Sequence, residues 1–561
     1  MSGNLPTTGD VVAPNQSEDG EAAPEQQISR LRAYWLTAPG KVILLATALA
    51  VAIRLFTLTR SGYLTGITEY DDGVYLGASL RMAEGAMPYK DFALVQPPGI
   101  LLLMTPVALI AKLTTTVKAL ALARLLTALA SAACVPLAGN LVRYRGTIVT
   151  LVTCGVLAVY PGDISAAHTL MLEPWMNLFC LLAMNAAFRR GHLARPGRLA
   201  WAGLALGFAG VIKFWAIAPA AVLLVLCLLV RQDRGRRARA YLPSLAAGFL
   251  IPVLPFLLAA PSAFWHGTLS DQAARLGSGV PISVRLANLT GAIDLLTTSG
   301  RLSLNAGTRS MFAGNATPNG ASTGSLGYLP YVAAIALVAL IAVGYTWQSR
   351  RLTQLEWLSL ATTVVATAMV LGYSTFFYHY ADFPAPWLAL TLGGAAGVLA
   401  GRPALRTLVI RSVAVAILLV AALQIREMFP MRQPDAQAMA HLIPRGSCVV
   451  TDEVSLTIAA DRFAGNLPPG CPDIIDALAA TLLLSNGVSV QGGASSMPQV
   501  VATWQNWLGR AQYVWLSPSH GSRRRIPWNT ELSDWFNANF TKVGADVPSV
   551  GQLYERVTPA R

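Results

Sequence analysis

Apolar runs long enough to form membrane helices recur along most of this chain, and they constrain its fold more than any other feature. Apolar residues make up 54% of the sequence and charged residues only 12%, and the mean hydropathy is +0.50. Because a helix needs ~20 apolar residues to cross a bilayer, we expect a polytopic α-helical membrane protein with about 11 transmembrane helices. The runs are 41–57, 118–142, 147–161, 174–188, 199–212, 214–230, 241–260, 328–346, 356–373, 384–399 and 407–425.

Arginine residues lie in short clusters between these runs, as they do at the cytoplasmic ends of transmembrane helices. With eleven helices, every cluster falls on the cytoplasmic side. The net charge of +14 therefore reflects membrane topology, and its distribution argues against nucleic-acid binding. The clusters are 143–145, 189–198, 231–239, 350–351 and 402–406.

Residues 1–40 are predicted to be a disordered cytoplasmic tail, because acidic residues are mixed there with Pro, Ser, Thr and Gln. Arg30, Arg32 and Lys41 hold the start of the first helix inside, so its other end faces outward. The Ala-, Arg-, Gly- and Pro-rich composition is compatible with a bacterium. We therefore predict a multi-pass protein of the bacterial inner membrane.

The apolar stretch 97–113 is expected not to cross the membrane. If it did, all the later arginine clusters would face outside. We predict a helix that lies along the outer surface or is re-entrant, entered through the rigid Pro97-Pro98 pair. The predicted transmembrane module then covers 41–425, with outer loops 58–117 and 261–327.

Polar residues return after this module, and residues 426–561 are predicted to form a small extracytoplasmic α/β domain. Short β-type runs alternate there with helical stretches. Cys448 and Cys471 are the two cysteines of this domain, and an oxidising compartment would allow a disulfide between them. The other four cysteines lie in predicted helices, where a buried apolar role is expected.

An acidic segment, Glu69-Tyr70-Asp71-Asp72-Gly73, follows the first predicted helix. Carboxylates are costly next to hydrocarbon, so a cluster at a helix mouth indicates a functional site. We expect the acids, a lysine, an arginine and a His-Tyr pair to converge on one membrane face. The further members on outward segments are Asp163, His168, Glu173, Lys213, Arg275, His379 and Tyr380.

Such a convergence suits chemistry on a lipid-linked phosphate. A carboxylate at the outer surface can take a proton from an acceptor hydroxyl, while cationic side chains neutralise the phosphate that leaves. The apolar body of the protein would hold a polyprenyl tail. A transporter would more often place its charges near the middle of the bilayer, within broken helices.

Seven segments of the chain form a recognisable series of motifs: Asp71-Asp72-Gly73-Val74-Tyr75, Glu84 to Asp91, Gln96-Pro97-Pro98-Gly99, Ala123-Arg124-Leu125-Leu126, Glu173-Pro174, Gly207 to Lys213, and His379-Tyr380. This series resembles the GT-C glycosyltransferase superfamily. Within it, the chain is most similar to the protein O-mannosyltransferase and lipid A aminoarabinose transferase group, over residues 40 to 425. Where the mannosyltransferases have Asp-Glu, this chain has Asp71-Asp72, which weakens a claim that it modifies proteins.

The resemblance implies an inverting transfer of a monosaccharide from a polyprenyl-phosphate donor to a cell-envelope glycan, glycolipid or protein on the outer face. It implies a reaction that requires no cofactor or depends weakly on a divalent metal, for which Asp71, Asp72 and Glu173 are candidate ligands. The candidate catalytic residues are the same three: Asp71, Asp72 and Glu173. The candidate donor-phosphate ligands are Lys213, Arg275, His379 and Tyr380, and the candidate acceptor or sugar contacts are Tyr75, Tyr89, Gln96 and His168.

Other interpretations of these residues stay open. The two aspartates could cap the helix that begins near Val74. Lys213 could anchor a helix end at the membrane interface, and His379 and Tyr380 could belong to an aromatic belt. Arg285 and Arg301 could contact phosphate as well as Arg275 could. The alternative function is a lipid-linked-sugar carrier or transporter without transferase activity.

Overall fold

The computed structural model describes residues 37–231, 233–270, 272, 280–290, 329–348, 350–400, 406–463, 470–547 and 550–557. Each of the eleven predicted apolar runs coincides with a helix there. The helices up to residue 428 are α1 (Ala38–Leu58), α2 (Tyr70–Ala83), α3 (Gly99–Leu113), α4 (Thr116–Val142), α5 (Thr147–Val159), α6 (Pro161–Ala167), α7 (Leu172–Ala187), α8 (Pro196–Ile212), α9 (Ile217–Leu229), α10 (Arg234–Ala259), α11 (Pro261–Trp265), α12 (Ile282–Thr290), α13 (Leu329–Thr346), α14 (Gln354–Gly372), α15 (Ala385–Ala395), α16 (Gly397–Ala400) and α17 (Arg406–Met428).

Five of the described helices, α1, α4, α10, α14 and α17, are long and apolar enough to cross a membrane. Helices α5 and α6 together make a sixth candidate, bent by 48° at their junction. In the most apolar windows of α10 and α17 only 11% of the residues are buried within the protein, as expected for lipid-facing helices. The chain is a multi-pass membrane protein, and the count of eleven crossings stays a prediction.

Helix α3 is the stretch that we expected not to cross the membrane. Its 15 residues, at 1.5 Å per residue, extend about 22 Å, which is shorter than the ~30 Å hydrocarbon core. Its last turn is tied back to the C-terminal end of α2, where the Lys112 ammonium donates a hydrogen bond to the carbonyl oxygen of Ala83 at 2.6 Å. Helices α8 and α9, which we expect to cross the membrane, have 17 and 13 residues, so the surface or re-entrant placement of α3 stays a prediction.

The C-terminal part combines helices with a four-stranded mixed sheet. Its elements are α18 (Gln437–Ala440), α19 (Val454–Ala459), α20 (Ala477–Leu484), α21 (Pro498–Arg510), α22 (Ser519–Arg525) and α23 (Thr530–Asn539), with β3 (Val449–Thr451), β4 (Tyr513–Leu516), β5 (Phe540–Val547) and β6 (Gly551–Arg556). Strand β3 runs parallel to β4, and β6 pairs antiparallel with both β4 and β5, giving the order β3-β4-β6-β5. Strands β1 (Phe188–Arg189) and β2 (His192–Leu193) form a separate hairpin between α7 and α8.

Aromatic residues fill the core of this C-terminal part. Trp504 of α21 and Phe536 of α23 are buried against one face of the sheet with Val514 of β4. Cys448, just before β3, forms a disulfide with Cys471, and their Cα atoms are 5.5 Å apart. The disulfide joins the start of the sheet to the chain segment that leads into α20.

We expect loss of this disulfide to destabilise the C-terminal part. The bond closes a loop with a sequence separation of 23, for which the reduced conformational entropy of the unfolded chain contributes about 3 kcal/mol. The Cys448→Ser, Cys471→Ser double variant should unfold at a lower temperature than the unmodified protein. Adding a reductant should lower the midpoint of the unmodified protein and leave that of the variant unchanged. Equal midpoints for the oxidised protein and the variant would contradict this expectation.

Candidate functional site

The two aspartates of the acidic segment occupy different environments. Both lie in the first turn of α2, where carboxylates interact favourably with the helix dipole. Asp72 is fully buried, and its Oδ2 atom accepts a hydrogen bond from the Arg124 guanidinium at 2.5 Å. Asp71 is half-buried, and its Oδ2 atom lies 3.5 Å from the Tyr75 hydroxyl. Asp72 is therefore engaged in an internal ion pair, while Asp71 keeps access to the outside.

Arg124, in the middle of α4, holds the N-terminal end of α2 in place. Besides Asp72, its guanidinium donates to the Thr68 hydroxyl at 2.6 Å and to the Tyr63 carbonyl oxygen at 3.0 Å. The hydroxyl of Thr169 also donates to Asp72, at 2.5 Å. Sequence reasoning included Arg124 in a motif without giving it a role. The available signal was an arginine within an apolar run, which requires a buried partner.

Lys213 lies at the turn between α8 and α9, with its side chain almost completely buried. Its ammonium forms an ion pair with the Glu173 carboxylate at the first turn of α7. The same ammonium is 4.2 Å from the centroid of the Trp215 ring and 4.3 Å from that of Tyr380. One carboxylate and two aromatic faces thus surround the charge, an arrangement that stabilises a desolvated cation.

The turn Gln96-Pro97-Pro98-Gly99 packs directly against the end of α8, next to the turn that carries Lys213. A Cβ atom added to Gly99 would lie 2.6 Å from the backbone carbonyl carbon of Val211, so only glycine allows this approach. Gln96, at the start of the turn, is half-buried. The predicted Gln96–Gly99 motif therefore serves, at least in part, to bring the first loop against the end of α8.

The segment Tyr378–Asp382, a turn of 3₁₀-helix, connects the lysine turn with the acidic segment. The His379 Nε2 atom is 3.8 Å from Glu173 Oε1, and its ring stacks on Phe377. The Tyr378 hydroxyl donates a hydrogen bond to Glu69 Oε1 at 2.5 Å, and Glu69 is the residue before α2. Segments that are far apart in sequence therefore meet at one end of the helix bundle.

The carboxyl group of Glu69 has a perturbed acidity. The pKa of Glu69 lies well above 4.5, and burial of the carboxyl group is the largest cause of this increase. The charges of Asp71, Asp72 and Glu453 raise the pKa further. The hydrogen bond from Tyr378 acts in the opposite direction. Glu69 was part of the acidic segment noted in the sequence, but it was not selected as a site residue.

Besides Gln96, three residues are predicted acceptor or sugar contacts. Tyr75 is buried, and its hydroxyl lies 3.5 Å from Asp71 Oδ2. Tyr89 is also buried and has a left-handed backbone conformation (φ 68°). Its hydroxyl donates a hydrogen bond to the main-chain oxygen of Gln96, which connects the two ends of the segment 89–96. The Nδ1 atom of His168 contacts the Ser165 carbonyl oxygen, and the His168 ring packs against Tyr63. These contacts favour structural roles for Tyr89 and His168.

Three arginines are candidates for phosphate binding. Two of them, Arg275 and Arg301, lie outside the described residues. Arg285 is buried, and its guanidinium donates to the main-chain oxygens of Leu371 and Tyr373 at 3.0 and 2.5 Å. Arg285 therefore caps the C-terminal end of α14, where carbonyl groups lack helical partners.

The side chains proposed as metal ligands do not assemble into a site. Asp72 is paired with Arg124, and Glu173 is paired with Lys213. Within the part of the chain that the structure describes, no three His, Cys, Asp or Glu side chains are grouped closely enough to hold a metal ion. Because Asp72 and Glu173 are each paired with a cation, these described side chains do not fit a metal as they stand.

We expect the Asp72→Asn variant to be much less stable than Asp71→Asn. Removing the charge of Asp72 leaves the fully buried Arg124 without its counter-ion, which costs on the order of 3 kcal/mol or more. Asp71 is only half-buried, so its replacement should change stability by less than about 1 kcal/mol. Thermal unfolding of both variants in the same detergent measures the difference, and equal shifts would contradict it.

A second prediction concerns the pH dependence of stability. Because the folded pKa of Glu69 is raised, its contribution to stability is present below pH 4.5 and is lost as pH rises through the folded pKa. Between about pH 5 and about pH 8, the Glu69→Gln variant should therefore lose less stability than the unmodified protein. Its amide can still accept the hydrogen bond from Tyr378. Thermal midpoints across that range test this, with the exposed Glu84→Gln variant as control. Parallel curves for Glu69→Gln and the unmodified protein would refute it.

Comparison with known proteins bears on this geometry through structure alone. No protein-family profile and no curated protein matches the sequence. The structure is similar to ArnT from Cupriavidus metallidurans bound to undecaprenyl phosphate, with a TM-score of 0.55 and 14% identity over 92% of this chain and 98% of that one. It is also similar to an Archaeoglobus fulgidus oligosaccharyltransferase tethered with an acceptor peptide, with a TM-score of 0.54 and 12% identity over 94% of this chain and 75% of that one.

A third similar structure is the oligosaccharyltransferase AglB from Archaeoglobus fulgidus in complex with an inhibitory peptide and a dolichol-phosphate. Its TM-score is 0.51, with 12% identity over 87% of this chain and 70% of that one. Identities this low establish a shared fold and leave substrate and residue roles open. All three structures belong to the superfamily that the sequence motifs resemble. The chain therefore has the fold of the GT-C glycosyltransferases.

Proposed function

We propose that this protein is an inverting glycosyltransferase that moves a monosaccharide from a polyprenyl-phosphate donor to a cell-envelope acceptor. The observation that carries the proposal is that one segment, Tyr378–Asp382, contacts both the start of α2, which carries the half-buried Asp71, and the ion pair of the buried Lys213. The Glu69–Tyr378 hydrogen bond and the His379–Glu173 contact link the two groups. The GT-C fold supports the same reaction class.

Asp71 acts in this proposal as the general base. Its partner Asp72 is fully buried and paired with Arg124, so it cannot approach an acceptor hydroxyl. Asp71 takes the proton of that hydroxyl as the oxygen attacks the anomeric carbon of the sugar. The new carbon–oxygen bond forms on the face opposite the phosphate, which inverts the anomeric configuration. General-base help of this kind contributes about 10²- to 10⁴-fold to the rate.

Lys213 stabilises the leaving group. As the bond between the anomeric carbon and the phosphate oxygen breaks, the electron pair and negative charge move to the polyprenyl phosphate. The buried ammonium of Lys213 interacts most strongly with that charge because little water screens it. His379 and Tyr380 complete the phosphate end of the site.

Glu173 holds Lys213 rather than acting on the substrate. Its carboxylate is buried, and it contacts the lysine ammonium directly. An unpaired ammonium would be costly to bury before the donor binds, and Glu173 removes that cost. When the donor phosphate arrives, the lysine can interact with both anions. The role of Glu173 is therefore to hold the Lys213 ammonium in place.

We place the reaction at the outer face of a bacterial inner membrane, with the N-terminus cytoplasmic and the C-terminal domain extracytoplasmic. The Cys448–Cys471 disulfide supports an oxidising compartment for that domain. The acceptor is an envelope glycan, a glycolipid or a protein, and the donor is a polyprenyl phosphate that carries a hexose or pentose.

A reconstituted transfer assay with a panel of radiolabelled polyprenyl-phosphate sugars and an envelope extract tests the proposal. Asp71→Asn should reduce transfer at least about 10²-fold and leave donor binding intact, because the base acts only in the chemical step. Lys213→Gln should weaken both donor binding and turnover. Lys118→Gln, which removes an exposed lysine from the start of α4, serves as the matched control.

Two outcomes would count against the assignment. If Asp71→Asn transfers sugar at the rate of the unmodified protein, Asp71 is not the base. If the unmodified protein binds the donor lipid and moves it without ever transferring sugar, the protein is a lipid-linked-sugar carrier or transporter.

A further inference from the structure

The helix that carries Asp71 is wedged between the membrane module and the C-terminal part. On one side, Asp72 pairs with Arg124 of α4. On another side, α2 packs against α19 so closely that a Cβ atom on Gly73 would lie 2.3 Å from the backbone nitrogen of Ser455. No side chain larger than hydrogen fits at this position without moving one of the two helices. The C-terminal part is therefore in direct contact with the first turns of α2.

Tyr70, the first residue of α2, is held by the C-terminal part. The Arg525 guanidinium lies over its ring, with its carbon 4.0 Å from the ring centroid. The Tyr70 hydroxyl donates to Asp476 Oδ1 at 2.7 Å and accepts from the backbone nitrogen of Leu478 at 3.2 Å. The ring face and the hydroxyl are thus both engaged, which fixes the position of the side chain.

Arg525 is itself fixed by acidic groups of its own domain. Its Nη1 atom lies 2.8 Å from Glu453 Oε2 and 3.3 Å from Asp452 Oδ2. Asp452 is fully buried and also accepts hydrogen bonds from the backbone and side chain of Ser517. Because Arg525 is held by these acidic groups, its contact with the Tyr70 ring restrains that ring relative to the sheet.

Asp71 lies between two anchored neighbours. Successive residues of an α-helix are separated by about 100° around its axis, so Tyr70 and Asp72 project to either side of Asp71. Tyr70 is held by Arg525, and Asp72 is held by Arg124. With both neighbours fixed, the rotation of the helix about its axis is fixed as well, and so is the direction in which Asp71 projects.

We propose that Arg525 is a positioning residue for the transfer reaction: by holding Tyr70 from the C-terminal part, it sets the orientation of the Asp71 carboxylate. The inference rests on the proposed function for its effect on rate, since Asp71 is the base assigned above. Arg525 acts through Tyr70 and does not contact the substrate. The C-terminal part thereby becomes a component of the catalytic apparatus.

The kinetic test compares Arg525→Ala and Arg525→Lys with Arg523→Ala. Arg523 is an exposed arginine of the same helix, α22, and makes a matched control. Arg525→Ala should lower kcat by on the order of 10- to 100-fold, because misplacement of a catalytic group by about 1 Å has effects of this size. The donor KM should change less than about twofold, since the phosphate end of the site is untouched. Arg525→Lys should recover part of kcat, because lysine can still stack on Tyr70.

A second measurement needs no transferase activity. The four free cysteines are buried, so an Asp71→Cys variant carries the thiol that reacts with a water-soluble maleimide. Adding Arg525→Ala should change the labelling rate of this thiol severalfold, whereas adding Arg523→Ala should not. The measurement reports the orientation and exposure of position 71 directly.

The two measurements separate the possible failures. An unchanged labelling rate with Arg525→Ala, or an unchanged kcat in an active enzyme, overturns the positioning role. A loss of thermal stability with kcat and KM equal to those of Arg523→Ala also overturns it, because Arg525 would then serve only the fold. If the unmodified protein transfers no sugar from any donor, the proposed function fails, and the labelling rates still decide whether Arg525 orients position 71.

Discussion

The buried ion pair between Asp72 and Arg124 is the interaction on which the arrangement of this end of the helix bundle depends. Removing two charges from water is costly, and the attraction between them compensates only when geometry and further hydrogen bonds are favourable. Here Thr68, Thr169 and the main chain of Tyr63 supply those bonds. The pair therefore specifies one position for α2 against α4, and one of two adjacent carboxylates is used for structure while the other stays accessible.

Charge compensation is a general feature of this end of the bundle. Arg54 of α1 is paired with Asp163 of α6 at 2.6 Å, and Ser131 of α4 donates to the same carboxylate. Lys213 is paired with Glu173. In the proposed reaction, the donor phosphate meets a lysine that already has a counter-ion, so its binding adds a second anion to an existing pair. Such a pair leaves no uncompensated buried charge before the donor binds.

The amino-acid sequence predicted the helices better than it predicted individual contacts. The run 41–57 corresponds to α1, and the resemblance that rested on Asp71, Lys213 and His379 is confirmed at the level of the fold. The different environments of Asp71 and Asp72 could not be predicted from their neighbouring residues, because Asp72 is paired with an arginine 52 positions away. Distances between segments are set by tertiary packing, on which a single sequence carries little information.

The attachment of Tyr70 to the C-terminal part also has a consequence for biosynthesis. The hydrogen-bond partner of Tyr70, Asp476, is 406 positions further along the chain, which a ribosome needs roughly 20 to 80 s to translate at ~5 to 20 residues per second. The Asp72–Arg124 pair can form early in that interval, whereas the contacts of Tyr70 cannot. The orientation of the acidic segment is therefore completed only after the part of the chain that carries Asp476 has been made and has reached the same side of the membrane as Tyr70. A nascent bundle would be inserted in the bilayer before Asp71 has its final direction.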